Sequence, residues 1–179
     1  MHVLLLGLRS SGKSTLAPLL AARLNLPHLD LDDATAALLD APSCADALNR
    51  RGEPAFRDAE RQALAHALTL PAHVIALGGG TPTAPGAADL IQDATRERRA
   101  VTIYLRATPQ TLETRLRATD LATRPALTGT DALAELPALF AARDPLYTTL
   151  ALHTIQIDDR TITELLQGLL KATVLFRAP

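Results

Sequence analysis

Residues 3 to 15 read V-L-L-L-G-L-R-S-S-G-K-S-T, and the reading of this stretch decides the fold. Residues 3–6 are apolar throughout, with no alternation, the pattern of a strand covered on both faces. Gly7 to Thr15 satisfies G-x-x-x-x-G-K-[ST] in full, and Leu16, Leu19, Leu20 and Leu24 follow at helical spacing. Strand, glycine loop and amphipathic helix in that order form a phosphate-binding loop. Glycine lets the backbone turn so tightly that consecutive N–H groups aim at phosphate oxygens, and the helix N-terminus adds a favourable dipole. Lys13 supplies a positive charge to the β- and γ-phosphates, and Ser14 a hydroxyl to Mg²⁺.

Outward from this loop the same alternation continues. Short apolar runs at 28–31, 74–77, 101–105 and 154–157 are separated by helical stretches, which predicts an α/β domain built on a parallel sheet. The runs at 3–6 and 74–77 are expected at its centre. Helical spacing marks 14–24, 53–70, 108–117 and 161–171, and also 131–150, with interruptions expected at Pro137 and Pro145. Residues 118–130 hold Asp120, Pro125 and Gly129 among several threonines without periodicity, and are read as a mobile loop. One domain over 1–179 accommodates the whole chain.

Composition excludes other classes. Charged residues are 21% and the net charge is −1, without the basic excess that nucleic acid or an anionic membrane requires, so neither is expected as a partner. Cys44 is the single cysteine and cannot form an internal disulfide, which fits a reducing cytoplasm. Residues 3–6 lack the basic flank of a signal sequence, and no apolar run approaches the roughly 18 residues of a membrane span. The histidines at 2, 28, 66, 73 and 153 lack zinc-ligand spacing.

A phosphate-binding loop does not name the acceptor. Asp30 and Asp32 close the second predicted strand, where C-terminal strand ends face the crevice, and period two would put both carboxylates on one side. One could hold Mg²⁺ through water and the other accept a proton or hydrogen bond from an attacking hydroxyl; a solvated helix cap is the plainer alternative. Gly78, Gly79 and Gly80 follow the third strand and admit close approach of a ligand or serve as a plain turn. Arg57 and Glu60, three apart on a helix, suit an ordinary surface ion pair.

Together these residues resemble the shikimate kinases. The phosphate loop, the D-x-D of Asp30 to Asp32, the G-E-x-x-F-R-x-x-E of Gly52 to Glu60, the triple glycine, the R-P-x-L of Arg124 to Leu127 and the R-x-x-L-Y of Arg143 to Tyr147 keep that family's order over roughly 3–171. The resemblance implies a three-layer domain, a five-stranded parallel sheet with helices on both faces and a mobile lid at about 118–130, usually monomeric. It implies that Ser10, Ser11, Gly12, Lys13, Ser14 and Thr15 hold the ATP phosphates, with Ser14 and Asp30 serving Mg²⁺. Asp32, Arg57, Arg143 and the glycines 78, 79 and 80 would hold shikimate. Arg117 and Arg124 would act as lid arginines meeting ATP, with Arg160 near adenine. Two positions depart from the family's habit: Ser10 stands where glycine is common, and Leu48 where an aromatic is common.

The activity implied is in-line phosphoryl transfer from ATP to a ring hydroxyl, with Lys13, Asp32 and Arg124 at the reacting groups. Another small-molecule kinase of this fold, such as a gluconate kinase, is the first alternative. A non-catalytic nucleotide-binding module is the second, though it would have no use for the acceptor-side arginines.

Overall fold

Among the residues that the computed structural model describes, 1–118 and 133–177, five parallel strands form one sheet. They are β1 (His2–Leu6), β2 (His28–Asp30), β3 (Val74–Ala76), β4 (Ala100–Arg106) and β5 (His153–Gln156), in the order β2-β3-β1-β4-β5. β1 is central, with Val3 level with Val74 on one side and with Val101 on the other. Every residue of β1 and β3 is buried, and successive side chains of a strand point to opposite faces, so both faces are covered.

The cover consists of α1 (Lys13–Leu24), α2 (Leu31–Leu38), α3 (Cys44–Ala67), α4 (Ala87–Arg96), α5 (Pro109–Arg117), α6 (Leu136–Leu150) and α7 (Ile162–Arg177). α1 packs on α7, while α4 contacts α3, α6 and β4. The expected strands all form, each within a residue or two of the expected bounds.

Three expectations are corrected. The second strand stops at Asp30, whose carboxylate caps α2 by accepting the Asp32 amide at 3.0 Å, so Asp32 lies in a helical turn and the period-two argument does not hold. The helix expected from Glu53 does start there, since Gly52 is non-helical at φ 77°, but it ends at Ala67 rather than Leu70 and a further helical stretch from Cys44, for which there was no expectation, runs into it; Pro54 sits in the first turn after the kink, where proline is welcome. α6 runs through Pro145 without a break. α4 carried no expectation, although Ala87, Ile91 and Ala94 bury at helical spacing. No helix among the described residues is long and apolar enough to cross a membrane.

Candidate active site

The loop between β1 and α1 opens a cavity of about 680 Å³ at the C-terminal end of the sheet, lined by residues 8–16 with Asp32, Arg57, Gly79, Arg143 and Arg160 among others. Gly12 takes φ 91° as the N-cap of α1, a conformation open to glycine and strained for other residues. Lys13 is buried, and its Nζ donates to the carbonyls of Gly7 at 2.7 Å and Leu8 at 3.0 Å, which folds the loop round its own cation. The Ser14 hydroxyl donates to Asp30 Oδ2 at 2.7 Å, joining two oxygen donors beside the loop.

Ser10, the departure from glycine, stands at φ 63° in the left-handed region. That conformation costs about 1–2 kcal/mol in an L-residue, partly offset by the looser unfolded chain that glycine brings, about 0.4–1 kcal/mol. Ser10→Gly is therefore expected to raise stability by up to about 1.5 kcal/mol, seen as a higher midpoint in thermal unfolding; a lower midpoint would show that the Ser10 side chain contributes more than the strain removes.

On the acceptor side, each glycine of the triplet is pressed by a neighbour. A Cβ on Gly78 would fall on Asp32 Oδ1 and come within 2.7 Å of Thr81 Oγ1, and one on Gly80 would fall on Arg57 NH1. Gly79 lies against the Arg9 amide, 3.2 Å from where a Cβ would stand, and its carbonyl accepts from Arg143 NH1 at 2.7 Å and the Tyr147 hydroxyl at 2.6 Å. These contacts, all with protein atoms, account for glycine at each of the three positions. Arg57 does pair with Glu60, but not on the surface: the Glu60 side chain is 2% exposed, and its other oxygen accepts from Thr81 Oγ1 at 2.9 Å. A buried, doubly bonded carboxylate fixes the guanidinium rather than decorating the helix. Burial works against charge on Arg57, but Glu60 and Glu53 more than offset it and hold its pKa above the usual value.

Asp32 is exposed to the cleft, but its Oδ1 is turned back against Gly78, where protein crowds the carboxyl. That crowding, with Asp30, Glu60 and Asp33 adding and Lys13 opposing, pushes its pKa up to about 6. The Cys44 thiol donates to the Asp32 carbonyl at 3.1 Å, and burial, with Asp32 and other carboxylates adding, pushes it up to about 12.

Not every expected residue joins the cleft. Gly78 and Asp30 stand behind its lining, and Arg117 pairs with Glu113 at 2.7 Å on the outer face of α5, its side chain 62% exposed. Arg115 lines the cleft instead, beside Gly12, and donates to the Ile157 carbonyl at 3.4 Å. The buried pair Leu112 and Leu116 marks the inner face of α5 and could have pointed to Arg115 beside it. Leu48 and Phe56 line the cleft together. Arg124 and most of the loop read at 118–130 lie outside the described residues.

A parallel sheet, a phosphate loop at its C-terminal edge and an arginine-rich second wall define a P-loop phosphotransferase for a small anionic acceptor. A family model described as shikimate kinase matches residues 9–173. The shikimate kinase of Rhodopirellula baltica is 38% identical, covering 96% of this chain and 89% of its own length, and that of Symbiobacterium thermophilum is 36% identical, covering 96% and 95%. Among solved structures, shikimate kinase from Acinetobacter baumannii in complex with shikimate superposes with a TM-score of 0.86 at 25% identity, over 99% of this chain and 95% of that one. The enzyme from Bacteroides thetaiotaomicron gives 0.82 at 27% identity, over 97% and 98%. The chain belongs to the shikimate kinase family, and is an ATP-dependent kinase.

Proposed function

We propose that the cleft carries out in-line transfer of the γ-phosphoryl group of ATP to the 3-hydroxyl of shikimate, yielding shikimate 3-phosphate and ADP for aromatic amino acid synthesis. The observation that carries this reading is the gathering of Asp32, Arg57 and Arg143 around the triple glycine, in the same cavity as Lys13. The loop amides and Lys13 hold the phosphates, and Arg115 and Arg160 stand on the nucleotide side. Arg57 and Arg143 bind the acceptor carboxylate by charge-assisted hydrogen bonds. Asp32 orients the acceptor hydroxyl and takes its proton. The Ser14 hydroxyl and Asp30 carboxylate fit a hard cation, and would hold Mg²⁺, Asp30 through water. When bound, the ion neutralises charge on the β- and γ-phosphates.

ADP release measured against a panel of acceptors tests the assignment: shikimate should be turned over at least a hundredfold faster than gluconate. A preference for gluconate would move the chain to the other kinase class, and failure to release ADP with any acceptor would leave only a nucleotide-binding module.

The raised pKa of Asp32 gives a second test. A carboxyl that titrates near pH 6 loses its ionised form below that value, so kcat/KM for shikimate is expected to fall about tenfold per pH unit below pH 6. Asp32→Asn should lower kcat at least tenfold and abolish that limb; a profile flat to pH 5 would remove Asp32 from the chemistry. The stability sign is the reverse. The folded carboxyl binds its proton more tightly than the unfolded one, so stability is lost as pH rises between the two pKa values. Asp32→Asn should therefore be at least as stable as the parent at pH 8.

A further inference from the structure

Asp144 stands next to Arg143 on α6, yet its side chain is turned to a different neighbour. Arg106, at the end of β4, grips the Asp144 carboxylate with two prongs, Nε to Oδ1 at 2.7 Å and NH2 to Oδ2 at 2.9 Å, and the Tyr104 hydroxyl donates to Oδ1 at 3.0 Å. Tyr104 is fully buried and meets Tyr147 of α6 edge to face, with ring centroids 5.5 Å apart. The Arg106 guanidinium also lies over the Phe140 ring at 5.7 Å. Residues 140, 144 and 147 fall on one stripe of a helix, so β4 holds α6 along about two turns.

Arg143 lies on the flank of that stripe, about 100° round from Asp144. Its NH1 is committed to the Gly79 carbonyl, and the remaining guanidinium nitrogens are directed by the rotation of α6. A roll of about 10° would move that guanidinium by roughly 1 Å, a displacement to which oriented contacts are sensitive. A partly exposed ion pair adds little to stability by itself; the Arg106 side chain is 40% exposed. A two-pronged contact does fix geometry.

We infer that the Arg106–Asp144 pair positions α6 for acceptor binding: pinned to the end of β4, the helix presents Arg143 at one fixed rotation to the acceptor carboxylate. This rests on the reading of Arg143 as the carboxylate clamp. Asp144 and Arg106 are positioning residues and need touch no substrate.

The test is calorimetric titration with shikimate, together with steady-state kinetics for both substrates, on Arg106→Gln, Asp144→Asn and the double variant. Each single change is expected to raise the shikimate Kd five- to tenfold, leaving the KM for ATP within twofold. The double variant should be no weaker than the weaker single, because one connection is broken only once. Arg106→Lys, which keeps the charge and loses the fork, should fall between parent and Arg106→Gln, and supplies the readout should Asp144→Asn fold poorly. An unchanged shikimate Kd, additive losses in the double variant, or equal rises in both KM values with a matching fall in melting temperature would overturn the inference. Arg143→Lys is measured alongside. If it weakens shikimate binding and the Arg106 and Asp144 variants do not, the positioning role alone fails; if it does not, the clamp reading fails and the inference with it.

Discussion

Replacing Lys13 with methionine is expected to lower kcat by about a thousandfold or more, since a single preorganised charge or donor at a transferring group is worth roughly 10²–10³ and the P-loop lysine meets two phosphates. The sequence alone presents this residue as pure charge placement, with no cost to the fold. The structure adds a second role. Lys13 is buried, and its ammonium bonds the Gly7 and Leu8 carbonyls at 2.7 and 3.0 Å. Methionine fills similar space but leaves those carbonyls without this donor, at a cost of about 1–3 kcal/mol. Against the 5–15 kcal/mol typical of a domain, the variant should still fold, with a lower melting temperature. Turnover followed by ADP release, with a thermal melt on the same preparation, separates the two roles. Collapse of turnover with a modest fall in melting temperature is expected; near-normal turnover would overturn the phosphate-loop assignment.

What the sequence made legible was whatever a short window could carry. The strand at β1 and the loop after it announce themselves because consecutive residues share one job, burial on both faces or donation to phosphate. At the start of α2 a helix cap was one of two readings left open, and the sequence did not choose between them because Asp30 serves both as that cap and as the partner of Ser14 sixteen residues away. Arg57 and Glu60 show the same limit. Their spacing specified a helical ion pair, but only the packing of Thr81 and Gly78 against Glu60 makes that pair a buried support for the acceptor wall. Arg115 carried no expectation, because its place at the cleft depends on the face of α5 that Leu112 and Leu116 bury, and no motif marks that face. The Arg106–Asp144 contact spans 38 residues and two elements, and no local pattern predicts it. Sequence reading placed the loop and the elements on either side of it, and missed the supports that aim the side chains of the opposite wall.

Arg143→Lys is expected to raise the shikimate KM about tenfold to a hundredfold while the KM for ATP moves far less. Arg143 is 9% exposed at the cleft wall, where its NH1 donates to the Gly79 carbonyl at 2.7 Å. The Tyr147 hydroxyl donates to the same carbonyl at 2.6 Å, so the anchor survives the substitution. The planar fork does not. Guanidinium keeps one nitrogen on the anchor and offers others, coplanar, to a carboxylate; an ammonium on a shorter reach either keeps the anchor or turns to the ligand. Loss of a charge-assisted hydrogen bond in a partly buried site costs about 1.5–3 kcal/mol, which is that tenfold to hundredfold range, provided KM tracks binding. The nucleotide side, with Lys13 and the loop amides, is untouched, because the two substrates meet only at the transferring phosphoryl group. Steady-state kinetics with each substrate varied in turn decides the matter: equal effects on both, or none on shikimate, would show that Arg143 holds Gly79 and not the acceptor.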